Sequence, residues 1–201
     1  YRSGLEQFPQ GRLQDDCRFG LARALEKQGQ TEEAERLYLA LSAKSTSNMA
    51  GDALYQLGAL QFAATRFDEA AATLASFESR YPHSARVGEA RLAHAWALFK
   101  LKRPDEAKAM LDRLKDDPGL APDAQYWLGM IQRGEEQWAE AAATLSAVAQ
   151  ANPNHRLAAA MRFYAGDASL QAGAPAAATR LFDHVLAKPD DRSEEHTSEL
   201  Q

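Results

Sequence analysis

Five alanines, Ala34, Ala70, Ala107, Ala141 and Ala178, follow one another at intervals of 36, 37, 34 and 37 residues. Each has a small residue twelve positions before it: Ala22, Gly58, Ala95, Gly129 and Gly166. Two small residues at a fixed separation let two antiparallel helices approach closely. A register kept through five copies points to a repeat architecture, in which each unit buries its apolar face against its neighbours. The strings ending at the alanines, TEEA, FDEA, PDEA, WAEA and PAAA, mostly put acids where a helix would begin, which suits the helix dipole. Between small residue and alanine lie short turn segments: KQGQ at 27–30, ATR at 64–66, LKR at 101–103, GEEQ at 134–137 and AGA at 172–174.

The rest of the chain agrees with a helix–turn–helix unit. Ala, Leu, Glu, Gln and Arg dominate, Val and Ile are few, and the apolar positions recur at three and four rather than two. The chain therefore reads as all-α. A break follows each second helix: Ser45–Ser47 in the first copy, then Pro82, Pro118, Pro153 and Pro189. Proline lacks the N–H that would continue a helix and disfavours helix in the residue before it. The expected units run over about 15–47, 51–84, 88–119, 122–154 and 159–190, within a repeat domain over 10–190. Residues 1–9 read as the end of an earlier second helix. In the longer linkers, FPQGRLQDDCRF and YPHSARVGEARL, the helix stops at proline, and Ser84 is expected to cap the next start.

The small residue, the alanine and the terminal proline resemble tetratricopeptide (TPR) repeats, over roughly residues 15–189. The resemblance implies a right-handed superhelical solenoid of about five units, with first helices lining a concave surface and second helices outside. One departure is clear. Where the family often has Trp near the start of the first helix, this chain has Arg18, Leu54, Arg91, Gln125 and Arg162. The aromatic-Pro-x-small linkers further resemble TPR proteins of the bacterial cell envelope, of the outer-membrane assembly lipoprotein and Tol–Pal coordinator types. That resemblance implies a periplasmic or outer-membrane setting, with the cytoplasm as the alternative.

After Pro189 the pattern stops. Residues 191–201 read as a non-native tail, because Arg192–Gln201, RSEEHTSELQ, resembles a sequencing-adapter oligonucleotide translated in frame. No functional weight falls on His196.

Charge and motif content narrow the function. The net charge of −5 has acids and bases interspersed with no basic stripe, which argues against nucleic acid. No apolar run is long enough for a transmembrane segment. The one cysteine, Cys17, excludes an internal disulfide and a cysteine metal cluster, and Asp15 and Asp16 beside it oppose a thiolate. The histidines His83, His94, His155 and His184 pair with no second ligand at a metal-binding spacing. No phosphate loop, nucleophile motif or paired-carboxylate motif is present, so neither enzyme activity, metal, cofactor nor small-molecule substrate is expected.

The expected activity is binding of a protein or peptide in the concave groove. By position in the first helices, the candidate contact residues are Phe19 and Arg23, then Tyr55 and Phe62, then Trp96 and Phe99, then Tyr126, Met130 and Arg133. Asp123 and Asp167 share this register. Aromatics and arginine are the usual anchors of interfaces. Tyr55, Trp96, Phe99, Tyr126 and Met130 are expected to be displayed rather than packed. The Lys and Asn of the family's carboxylate clamp are missing at the matching places, so recognition by apolar contact is expected. The alternative is that the chain is the docking or sensing arm of a larger enzyme or regulator. Bare solenoid ends would also invite dimerisation.

Overall fold

The structure is a computed structural model that describes residues 13–187. The expectations for residues 1–9, Pro189 and the adapter-like tail lie outside those residues. Ten α-helices and no strand occur in the described range: α1 (Gln14–Lys27), α2 (Thr31–Ala43), α3 (Ala50–Ala63), α4 (Phe67–Arg80), α5 (Val87–Lys100), α6 (Pro104–Asp112), α7 (Ala121–Gly134), α8 (Trp138–Ala151), α9 (Ala158–Gln171) and α10 (Pro175–Leu186). They form five pairs, each an odd-numbered first helix and an even-numbered second helix, as the repeat predicts. The chain divides into two compact units, Tyr1–Ala107 and Lys108–Gln201, with the division inside α6. In the first unit α1 to α4 each pack on the helix that follows; in the second, α7, α8 and α9 do the same.

The small residues act as expected. A Cβ on Gly58 would stand 2.8 Å from Leu74 Cγ, one on Gly129 2.5 Å from Leu145 Cγ, and one on Gly166 2.7 Å from Phe182 Cε1. In every case the large side chain lies four residues past the repeat alanine. The backbone of each first helix is therefore the wall against which the second helix's bulkiest core residue is pressed. In the first pair, Ala22 and Tyr38 hold these two positions in one core, and the Tyr38 hydroxyl donates to Glu26 at 2.8 Å. The five repeat alanines are fully buried.

The turn inside each pair was not legible in composition. The residue five before each alanine is left-handed: Gly29, Thr65, Lys102, Glu136 and Gly173 have φ of 74°, 58°, 61°, 61° and 76°. Its N–H bonds back three residues, for example Thr65 to Phe62 at 2.9 Å, and the next N–H bonds back five, Arg66 to Gln61 at 2.9 Å. The same two bonds close all five turns, so every first helix ends in a Schellman motif. Only two of the five left-handed positions hold glycine, the residue that enters this region without steric cost.

The turn between pairs corrects one expectation. Ser84 does not cap α5, whose first residue is Val87 and which has no side-chain cap. Its hydroxyl instead accepts the Arg86 N–H at 3.2 Å within the turn. Ser47 and His155 stand in the same place and Asp117 one residue earlier in its repeat, and each accepts the N–H two residues on, from Met49, Leu157 and Gly119. This is the local side-chain-to-backbone turn of short polar residues. Proline also starts helices here: Pro104 begins α6, and Pro122 and Pro175 sit in the first turns of α7 and α10, where a missing N–H costs nothing.

Candidate functional site

Side chains on consecutive first helices meet in a fixed way. Counting from the small residue, the side chain four beyond it reaches the residue one beyond the small residue of the next first helix. In the first unit this places Phe62 of α3 against Trp96 of α5, with ring centroids 4.7 Å apart and planes tilted by 50°. Phe62 also meets Phe67 edge-on at 5.1 Å, and the buried Ala70, Ala71 and Ala97 back the patch. Both rings are half-buried, so each keeps an accessible edge. Phe99 and Tyr55 are likewise half-buried. The Tyr55 ring packs on Phe77 at 5.9 Å, under the Arg86 guanidinium at 5.2 Å. Burial raises the Tyr55 phenol above its ordinary pKa, so it is neutral. Arg86 is itself held by Asp52 at 3.0 Å and Glu89 at 3.4 Å. Phe19 leans on the core against Tyr38 at 5.8 Å, while Arg23 is exposed.

In the second unit the same positions carry charge. Arg133 of α7 forms an ion pair with Asp167 of α9, and its guanidinium lies 4.7 Å over the Tyr164 ring. Met130 Sδ is 3.9 Å from the guanidinium. The cation is engaged by a carboxylate and by an aromatic face, although its Nε is buried without a hydrogen bond, so this patch offers shape and apolar edges more than free charge.

Tyr126 departs from expectation. It is 3% exposed and lies in the core with Leu145, Val148 and Met161. Its ring is 4.9 Å from Trp127 and 6.3 Å from Tyr164. Burial raises its phenol pKa, again leaving a neutral hydroxyl. The residue three before the small glycine is covered here because Tyr164, from the next first helix, lies over it. Trp127 and Tyr164, both half-buried, are the aromatics that the sequence reading missed. The signal was available: each stands two before its glycine, a register passed over in favour of the next one.

Charged groups at the pair-to-pair turns are structural. Asp123, 4% exposed, is paired with Arg156 and lies 3.3 Å from His155 Nε2. Asp15 accepts from Lys44 at 2.8 Å, and that bond above all lowers its pKa. His94 is 8% exposed; its Nδ1 is buried without a hydrogen bond, with the Glu78 carboxylate 3.7 Å away. Burial lowers its pKa, with Glu78 opposing the shift. Among the described residues no group of three or more His, Cys, Asp or Glu could hold a metal ion. No helix among them is long and apolar enough to cross a membrane.

Two family models, both described as tetratricopeptide repeat, match the sequence, one at residues 16–45 and 52–84 and the other at 92–156. The chain is built of tetratricopeptide repeats. Solved structures share the fold. MamA from Desulfovibrio magneticus RS-1, from residue 41 to its end, matches with a TM-score of 0.72 and 17% identity, covering 86% of this chain and 93% of that one. YrrB, described as a TPR protein with an unusual peptide-binding site, matches with a TM-score of 0.63 and 21% identity, covering 98% and 97%. A TPR protein from Parabacteroides merdae matches with a TM-score of 0.70 and 16% identity, covering 88% and 68%. A search of curated proteins returned no match. In TPR terms, the Phe62–Trp96 and Arg133–Asp167 pairs bridge the first helices of neighbouring repeats, and these first-helix faces are the candidate binding surface of each unit.

Proposed function

We propose that this TPR chain is a non-enzymatic scaffold that binds a peptide or protein segment along its first-helix faces. The observation that carries the reading is the pair of bridges between first helices. Half-buried rings lie at them: Phe62 and Trp96 in one unit, and in the other Tyr164 under the Arg133 guanidinium, with Trp127 packed on the same core. Half-buried aromatics on rigid helices lose little conformational freedom on binding and contribute large contact area. The peptide-binding site described for YrrB supports the class of ligand, not its identity. With the Arg133 guanidinium engaged by Asp167 and Tyr164, the segment is expected to be held by apolar side chains rather than by its terminal carboxylate.

The test is to select peptides from a display library on the immobilised chain and titrate them against variants. Trp96→Ala and Trp127→Ala should each weaken binding about tenfold or more with the helical signal unchanged. Peptides that bind both variants as tightly as the parent would sink the first-helix assignment. Tyr126→Ala is no test of binding, since that ring is core. An envelope setting is part of the proposal on the strength of the FPQG and YPHS linkers. Fractionation of cells carrying the source gene, with the product found only in the cytosol, would remove it.

A further inference from the structure

The first-helix face of the first unit changes character from one end to the other. On α3, Tyr55 and Phe62 stand seven residues apart with Ala59 between them. On α5, Glu89 and Trp96 stand seven apart with Ala93 between them. Seven residues make almost two full turns, so each set forms one stripe along its helix, with ends about 10 Å apart. Tyr55, Ala59, Phe62, Ala93 and Trp96 are all half-buried, and the two alanines leave a low floor between larger side chains. Phe62 joins the two stripes at one end by resting on Trp96, with ring centroids 4.7 Å apart. Arg86 joins them at the other: it meets Asp52 at 3.0 Å and Glu89 at 3.4 Å, with its guanidinium over the Tyr55 ring.

At the Arg86 end two carboxylates share one guanidinium, which leaves one negative charge in excess. The Asp52 and Glu89 side chains are 40% and 49% exposed. Each turns one oxygen to Arg86, Asp52 Oδ1 and Glu89 Oε2, and keeps a second for another donor. Beyond the aromatic end the sign reverses, because Lys100, four past Trp96, is exposed. On α1, Asp16 holds the register of Asp52 and Glu89, and Lys27 that of Lys100. The second unit lacks this acid end. Asp123, in the same register, is closed off by Arg156 and His155 with its side chain 6% exposed, and Ala160 takes the place on α9.

We propose that the α3–α5 face takes an extended protein segment carrying a lysine or arginine and, three residues from it, an apolar side chain. This rests on the first-helix reading above and names the chemistry of its ligand. In an extended left-handed chain, side chains three apart lie on one side about 9 Å from each other, which matches the two ends of the stripe. The basic group binds Asp52 and Glu89, and the apolar group covers the accessible edges of Phe62 and Trp96 above the alanine floor. Lys100 repels a second basic residue at the apolar end, so charge sets which way round the segment lies.

The probes are two capped peptides, GSKPPFSG and GSEPPFSG, titrated into the full chain and followed by amide and indole N–H chemical shifts. The lysine peptide should move the Trp96 indole signal and bind at least about fivefold tighter than the glutamate peptide. The gap should narrow as salt is raised from about 50 mM. The Asp52→Asn, Glu89→Gln double variant, with circular dichroism unchanged, leaves Arg86 alone at that end and should reverse the preference. Equal affinities with the Trp96 signal still moving overturn the proposal and leave the first-helix reading standing. A lysine preference that survives in the double variant also overturns it, since the charge read would lie elsewhere. Shifts confined to residues outside the first helices overturn both readings, and no saturable shift with either peptide overturns the present one.

Discussion

The bridge in the first unit and the bridge in the second occupy the same register and use opposite chemistry. Phe62 and Trp96 stack ring on ring; Arg133 and Asp167 pair charge with charge beneath an aromatic face. Behind both, the contact within the repeat is conserved in kind: a glycine backbone against Leu74 in one, against Leu145 in the other. Close packing inside a repeat tolerates almost no volume change, whereas the first-helix surface accepts any pair that satisfies itself. The close contact within the repeat and the proposed binding surface are thus carried by side chains within one helical turn of each other.

The largest effect is expected where the two regions are alike. Gly129→Ala would gain helix propensity of about 1 kcal/mol. Its methyl group would sit 2.5 Å from Leu145 Cγ, a branch point that cannot swing away. Overpacking should win, with a net loss of about 1–3 kcal/mol in chemical denaturation. Leu145→Ala in the same chain should recover part of the Gly129→Ala penalty, and strict additivity would show that the two side chains are not in contention.

A second experiment asks whether the bridges are interchangeable. Arg133→Ala strands a partly buried Asp167 and should cost about 1–2 kcal/mol. The double change Arg133→Phe, Asp167→Trp rebuilds the first unit's pair in the second and should come closer to the parent than Arg133→Ala does. If it proves worse, the register does not define equivalent environments, and the comparison between the bridges fails.

Smaller effects are expected at the turns. Glu136→Gly should stabilise by about 0.5–1 kcal/mol, because a side chain at φ 61° is strained and glycine is not. Gly173→Ala should destabilise by about 1 kcal/mol through φ alone, since nothing lies within 4 Å of the added methyl. Equal and opposite signs at positions of identical geometry would show that the Schellman turn, not its neighbours, sets the cost.

The least effect is the pH response of His94, whose burial has no counterpart in the second unit, where Leu128 stands one before Gly129. Its folded pKa lies below the unfolded value of about 6.5. The unfolded chain therefore binds the proton first, and stability contributed by the neutral, buried ring falls as pH drops below about 6.5, until the folded pKa is reached. Denaturant titrations on either side of that value should show a smaller acid-side loss in His94→Leu than in the parent. An identical loss would acquit His94.

The sequence disclosed the fold because packing leaves a periodic record. Gly58, Gly129 and Gly166 recur since any larger residue there meets Leu74, Leu145 or Phe182. The turns were half-legible. Gly29 and Gly173 announce a left-handed residue, but Thr65, Lys102 and Glu136 take the same conformation with nothing in their identity to show it, because the Schellman bonds and the flanking helices impose it. The surface was least legible. Tyr126 and Tyr55 share a register, yet only Tyr126 is covered, and what covers it is Tyr164, two before Gly166 on the next first helix. Ser84 was misplaced for a related reason: a serine before a helix can cap the helix or close the turn ahead of it, and a two-residue difference in reach decides which.

The five left-handed turns also bear on how such a chain leaves the ribosome. Each pins a first helix to a second whose main contact is only sixteen residues further along, as from Gly58 to Leu74. Contacts that near in sequence form early and need little chain. A nascent polypeptide of this kind can close one hairpin while the next is still being translated, so apolar surface is covered nearly as fast as it emerges. At synthesis rates of about 5–20 residues per second, each repeat has on the order of seconds to fold before its neighbour arrives.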